Sequence, residues 1–267
     1  MKNGVWILGV RGSVPVSGPG FARYGGATSC VLVRLAGQFV LLDAGTGLLR
    51  LPEEALSEPA LPLLLSHPHA DHLLGLSLCP CVLRPEGPRL DIYARTRGGL
   101  DGAAQVRRLL SPPLWPVEPG ELPCPPRFHE LETGFDLGPV RVDALEGVHP
   151  GGVALLRLTG GGRRVVYAPD CVLTETMSAA LADFARDCDL LLIDGQYSPE
   201  EWPNRYHFGH SSWRAAAELA RACGAREARI VHHDPERTDE MLDAAAPELA
   251  ELHPRCLFAR EGEVIVL

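Results

Sequence analysis

The sequence has no apolar run approaching the ~20 residues that a membrane-spanning helix needs. Its opening residues, Met1-Lys2-Asn3-Gly4-Val5-Trp6-Ile7-Leu8, lack the organisation of a secretory signal and read straight into a strand, so a cytoplasmic protein is expected. Positive charge is short as well. With 25 Lys and Arg against 34 Asp and Glu, the formal net charge is −9. An acidic chain is poorly suited to gripping a nucleic-acid backbone, which argues against a dedicated DNA or RNA binder. The eight cysteines include no Cys-x-x-Cys pair; Cys79-Pro80-Cys81 is the closest spacing. Scattered thiols without an export signal read as buried and free rather than as disulfides. No internal repeat is evident. The 267 residues suffice for a full core, and one domain spanning 1–267 is expected.

What the chain does have is a dense run of ligating side chains. His67-Pro68-His69-Ala70-Asp71-His72 puts three imidazoles and a carboxylate within six residues. The apolar Leu61-Pro62-Leu63-Leu64-Leu65-Ser66 precedes it, short enough for a buried strand. Leu73, Leu74, Leu76 and Leu78 around Gly75 suit a short helix after it. The cluster therefore sits where a strand ends. Buried without partners, such groups are costly. Divalent metals are their natural partners, because neutral imidazole and carboxylate are good ligands for zinc or manganese.

Along the rest of the chain, strands are expected at Val5–Leu8, Ser29–Leu35 and Phe39–Asp43, then Leu90–Tyr93, Phe128–Leu131, Val140–Leu145, Val153–Leu158 and Arg164–Tyr167. Further strands are expected at Leu190–Ile193, Arg229–Val231, Cys256–Phe258 and Glu263–Val266. Helices are expected over Leu100–Leu110, Glu175–Arg186, Trp213–Cys223 and Asp239–Leu252. Residues 9–27 form a loop rich in glycine, proline and serine that carries Arg11, Arg23 and Tyr24. A proline-dense segment from Ser111 excludes regular structure and sets Trp115 either against a pocket or simply into packing. Half the pattern is hairpins and half is alternating strand and helix. Two mixed sheets packed together, with helices outside, satisfy it.

Metal-type residues recur at the strand ends: His149, Asp170, His210, His232 and His233 join the first cluster. Seven such ligands can hold two ions, each taking two or three imidazoles and sharing a carboxylate. Asp43 ends an apolar strand before a glycine turn; it suits either a hydrogen bond to metal-binding histidines or a simple cap. His129, His207 and His253 have no spacing argument and read as ordinary surface or core residues.

His67-x-His69-x-Asp71-His72 after an apolar strand, with Asp43 in Leu-Leu-Asp-Ala-Gly and isolated His149, Asp170 and His232, resembles the metallo-β-lactamase superfamily over nearly the whole chain. Arg11-Gly12-Ser13, Tyr24-Gly25-Gly26-Ala27-Thr28-Ser29-Cys30, His149-Pro150-Gly151-Gly152, Gly209-His210-Ser211-Ser212 and His232-His233-Asp234-Pro235 resemble its phosphodiesterase branch, which holds cyclic phosphodiesterases and ribonuclease Z enzymes. The resemblance implies an α+β fold, an αββα sandwich of two mixed sheets flanked by helices. It implies His67, His69 and His149 on one metal, Asp71, His72 and His232 on the other, and Asp170 bridging. His233 is the alternative ligand, or a substrate contact. His210 matches the histidine that lies near the leaving group. Ala27 stands where the branch usually has asparagine, Cys171 follows Asp170 in place of threonine or glutamate, and a glycine- and proline-rich arm for tRNA is not seen.

The expected chemistry is hydrolysis of a small or cyclic nucleotide-like phosphodiester by a hydroxide held between two divalent ions, zinc or manganese. Asp71 and His210 are the expected catalytic groups, and Arg11, Arg23, His233 and Trp115 the expected substrate contacts. The alternatives are a metallo-hydrolase of a thioester, lactone or lactam, and a metal-containing binding or sensing protein. A homodimer is compatible with the chain.

Overall fold

The computed structural model describes residues 2–267. Fourteen strands form two seven-stranded sheets. In the first sheet are β1 (Gly4–Gly9), β2 (Cys30–Leu35), β3 (Gln38–Leu42), β4 (Ala60–Leu64), β5 (Arg89–Ala94) and β6 (Arg127–Glu130). The second holds β7 (Gly134–Leu137), β8 (Val140–Gly147), β9 (Val153–Gly160), β10 (Arg163–Ala168), β11 (Leu190–Asp194), β12 (Glu227–Val231) and β13 (Cys256–Phe258). β14 (Val264–Val266) returns to pair with β1, giving the orders β14-β1-β2-β3-β4-β5-β6 and β13-β12-β11-β10-β9-β8-β7. Each sheet is mixed: β3 to β6 and β10 to β13 are parallel, and the remaining pairs are antiparallel.

The strands read as apolar runs because both of their faces are covered. Along β11, Leu190 and Leu192 enter the seam between the sheets, while Leu191 and Ile193 face the outer helices. In β9 the split is Ala154, Leu156 and Leu158 against Val153 and Leu155. This is the two-residue period of a strand used twice. The principal helices are α1 (Gly102–Leu109), α2 (Glu175–Phe184), α3 (Trp213–Ala222) and α4 (Asp239–Leu252). Each starts at a side-chain cap that accepts a backbone N–H: Asp101, Thr174, Ser212 and Thr238 respectively. None of the helices among the described residues is long and apolar enough to cross a membrane.

The αββα sandwich is as expected, and nearly all expected strands and helices are present. β7 is an addition, and the expected helix after His72 is two short 3₁₀ segments, Ala70–His72 and Leu74–Leu78. All eight cysteines are free. Trp115 is half-buried and packs, as Leu109 and Val117 do, against the apolar cluster on the outer face of the first sheet. Its proline-rich segment therefore covers that sheet, and Trp115 is not placed as a substrate contact.

Leu156 is fully buried in the seam. Leu156→Ala should lower unfolding free energy by about 2–5 kcal/mol in guanidinium denaturation. A loss below about 1 kcal/mol would mean that the seam is not the packed core described here.

Candidate metal centre

The candidate ligating residues converge where strands end, as expected for the carboxyl ends of parallel strands. Asp43 follows β3, His67–His72 follow β4, Asp170 follows β10, Asp194 ends β11 and His232 follows β12. His149 lies in the turn between β8 and β9. Two groups form, His67, His69, His149 and Asp170 on one side, Asp71, His72, His232 and Asp170 on the other. In the first, His67 Nε2 and His149 Nε2 each lie 3.0 Å from His69 Nδ1, and His67 Nε2 lies 3.4 Å from Asp170 Oδ2. In the second, His232 Nε2 is 3.1 Å from Asp71 Oδ2 and 3.2 Å from Asp170 Oδ1, and His72 Nε2 is 3.3 Å from Asp170 Oδ1. Ligand bonds of 2.0–2.1 Å around a tetrahedral ion give edges of about 3.3–3.4 Å, which these separations approach.

The outer ring nitrogens determine what the inner ones offer. His72 Nδ1 donates to Asp43 Oδ2 at 2.7 Å, His149 Nδ1 to the Gly209 carbonyl at 2.9 Å, and His232 Nδ1 to Gln196 Oε1 at 3.0 Å. Ser66 donates both its N–H and its hydroxyl to Asp43, so its Oγ is left to accept from His67 Nδ1 at 3.0 Å. With each Nδ1 carrying the proton, each Nε2 presents a lone pair inward. Lone pairs then face lone pairs and carboxylate oxygens. His72 Nε2 and Asp170 Oδ1 are buried with no hydrogen-bond partner at all. Positive charge, from a metal ion or from a protonated ring, satisfies such a cradle, and the donor sets of both groups fit divalent ions.

Electrostatics agree. Among the described residues no arginine or lysine pairs with Asp71 or Asp170; only histidines do. Burial would raise the Asp71 carboxyl, but His72 and His232 hold it well below its ordinary range. For His232, burial opposes charge, yet Asp170 and Asp71 outweigh it and lift the ring to about 9, so without a metal ion its Nε2 takes up a proton and faces Asp71 as a cation. Burial, helped by His72, depresses His67 to about 3. Positive charge is demanded beside the carboxylates and refused at His67.

The backbone is bent to hold this arrangement. Asp43, Asp170 and His232 have φ of 58°, 33° and 61°, the left-handed region that side chains rarely adopt. Gly12 and Gly209 leave the room. A Cβ on Gly12 would lie 2.3 Å from the His232 ring, and one on Gly209, at φ +99°, would lie 2.3 Å from His149 Nδ1.

His210 is buried beside the ligands. Its ring stacks on His232 with centroids 4.7 Å apart, and its Nδ1 lies 3.1 Å from Asp194 Oδ2. Asp194 also accepts the backbone N–H groups of Cys171, Gln196 and Ser211. Three expected substrate contacts lie elsewhere, besides Trp115. Arg11 is fully buried and donates to the carbonyls of Gly25, Asp234 and Arg237, so it braces the N-terminal loop. Arg23 is half-exposed and pairs with Asp239, Glu240 and Asp243 on α4. His233 is buried, contacts the Ala259 carbonyl at 2.9 Å and lies edge-on to Tyr24; burial keeps its ring neutral, with a pKa pushed down to about 3. It does not join the ligands.

Reasoning from residue order missed Ser13, whose N–H donates to Asp71 at 2.7 Å, and Tyr167, whose hydroxyl donates to Asp43 at 2.8 Å. It also missed Ser66, Gln196 and Asp194. Asp194 carried the same signal as Asp43, an acidic residue closing an apolar strand before glycine.

Two seven-stranded sheets with imidazoles and carboxylates gathered at their strand ends define a metallo-β-lactamase fold, for which divalent metals are implied. The chain belongs to the family described as Beta-lactamase superfamily domain, which matches residues 38–233. It is 35% identical over 99 residues to a ribonuclease Z of Thermoplasma volcanium, covering 35% of this chain but only 31% of that enzyme. Over 246 residues it is 26% identical to a ribonuclease Z of Acaryochloris marina, covering 73% of this chain and 76% of that one. Among solved structures, the metallo-beta-lactamase fold protein YhfI from Bacillus subtilis superposes with a TM-score of 0.75 at 19% identity, over 99% of each chain.

Asp43→Asn should weaken metal retention by about 10–100-fold in chelator competition, because the ring of His72 loses its carboxylate partner. Unchanged retention would reduce Asp43 to a packing residue. Gly209→Ala should displace His149 and lower the metal content of the first group, as read by elemental analysis; full content would show that the loop yields without cost.

Proposed function

We propose that this single-domain chain is a dinuclear metal-dependent phosphodiesterase acting on a small or cyclic nucleotide-like phosphodiester. The observation that carries the reading is the Asp194–His210 pair stacked against the ligand His232. A proton donor held beside a two-metal cradle suits displacement at phosphorus, where a departing oxygen must be protonated. The ribonuclease Z relatives support phosphodiester chemistry. They also favour a second reading, an RNA substrate, whereas the net charge of −9 favours a small one.

His67, His69 and His149 would hold one ion, Asp71, His72 and His232 the other, with Asp170 between them. Five imidazoles and two carboxylates suit zinc, with manganese the next choice. When bound, such a pair supplies an acidified water and offsets charge on the phosphoryl oxygens. The chain's own residues do the rest. Asp71 stays ionised and accepts a hydrogen bond from the attacking water, while Ser13 N–H fixes its orientation. Asp194 accepts from His210 Nδ1 and steadies the ring as an imidazolium, whose Nε2–H passes its proton to the leaving oxygen and leaves the Nδ1–H tautomer behind.

Purified protein loaded with zinc or manganese should cleave bis(p-nitrophenyl) phosphate faster than p-nitrophenyl esters or lactams; the reverse preference would sink the phosphodiesterase reading. His210→Ala should lower kcat by about 10²–10⁴-fold while metal content holds. Loss of metal in that variant would make His210 a ligand or a structural residue instead. Cleavage of tRNA precursor well ahead of cyclic nucleotides would move the assignment to RNA.

A further inference from the structure

We propose that an apolar groove beside His149 is a subsite for a flat aromatic ring carried on one arm of the substrate phosphate, an inference that rests on the phosphodiesterase reading. The groove has a volume of about 370 Å³ and is lined by Val148, Pro150, Val172, Thr174, Tyr206 and His207, together with His149 and Gly209. That volume falls within the range of small-ligand pockets. His149 belongs both to this wall and to the first ligand group, and its ring centroid lies 5.1 Å from that of His210. The groove and the first ligand group therefore share a wall, the His149 ring.

The groove is built rather than incidental. Val172 N–H donates to the Val148 carbonyl at 2.8 Å, and His149 Nδ1 donates to the Gly209 carbonyl at 2.9 Å. These bonds tie the three lining segments to one another and to a ligand. Val172 is buried, whereas Val148 and Tyr206 are 45% and 53% exposed. Both exposed side chains line the groove beside the polar centre. The Tyr206 ring has a face for stacking, and it leans on Trp202 with centroids 5.9 Å apart, which restrains it. No arginine or lysine lines the groove, so it suits neither a second phosphate nor a polyanion backbone. A cleft of about 300 Å³ between Asp183, Arg186, Asp187 and Arg221 shows the contrast: its lining is charged and includes no residue of the centre.

The test measures inhibition constants on the metal-loaded full chain, with cleavage of p-nitrophenyl methyl phosphate as the readout. Two ligand pairs are compared, phenylphosphonate against methylphosphonate and adenosine 5′-monophosphate against ribose 5-phosphate. The aromatic member of at least one pair should bind about ten-fold tighter. Preference in the first pair identifies a simple aryl group, and preference in the second alone identifies a nucleobase. Tyr206→Ala and Val148→Ser, both at exposed positions, should each cut that preference to below about three-fold. Equal binding within both pairs, or a preference that neither variant changes, overturns the proposal. Turnover with equal inhibition constants removes the subsite alone; absence of turnover on every phosphodiester removes the underlying reading and the subsite with it.

Discussion

The carboxylate of Asp170 faces imidazole nitrogens on both sides, and much of the site follows from that single opposition. His67 lies 3.4 Å from one oxygen, and His72 and His232 lie 3.3 and 3.2 Å from the other. Four outer hydrogen bonds commit the Nδ1 protons of His67, His72, His149 and His232 to Ser66, Asp43, Gly209 and Gln196, so in the neutral rings those four inner nitrogens have no proton to give. A buried arrangement of this kind repels itself unless positive charge enters it. The protein maintains it with residues that stand directly behind the candidate ligands. Asp43 is the main support, bonded to Ser66, His72 and Tyr167 and itself held at a left-handed φ.

The two sheets explain how such strain is tolerated. Their seam is filled from both sides by strands that are also covered outside, and this packing fixes the strand ends within close limits. The ligand loops leave the same end of the sandwich. The Ala154 N–H of β9 donates to the Ser66 carbonyl at 2.9 Å, which joins the second sheet to the start of the histidine run. Stiff strand ends can pay for bent loops, and three positive φ values at Asp43, Asp170 and His232 are where that stiffness is spent.

Much of this was legible in the residues because the governing signals are local. Buried strands announce themselves as short apolar runs, and the ligand run His67–His72 is contiguous. β7 was not legible: it is four residues long and carries one buried side chain, Leu137. The supports of the site were missed because they act across the chain. Tyr167 meets Asp43 from 124 positions away, and Ser13 meets Asp71 from 58. Arg11, Arg23, Trp115 and His233 were misplaced for a related reason. A cation or ring in an irregular segment has no period that reveals which way it faces. Arg11 turned out to be a brace between loops, and His233 faces away from the centre although its neighbour His232 faces into it.

The central claim is that one carboxylate joins two groups of ligands into a dinuclear centre. Elemental analysis of the wild-type chain and of Asp170→Asn, purified and dialysed side by side, tests it most directly. The account predicts two divalent ions per wild-type chain and a loss from both groups in the variant. A wild-type chain that binds a single ion, or an Asp170→Asn chain that keeps two, would contradict it.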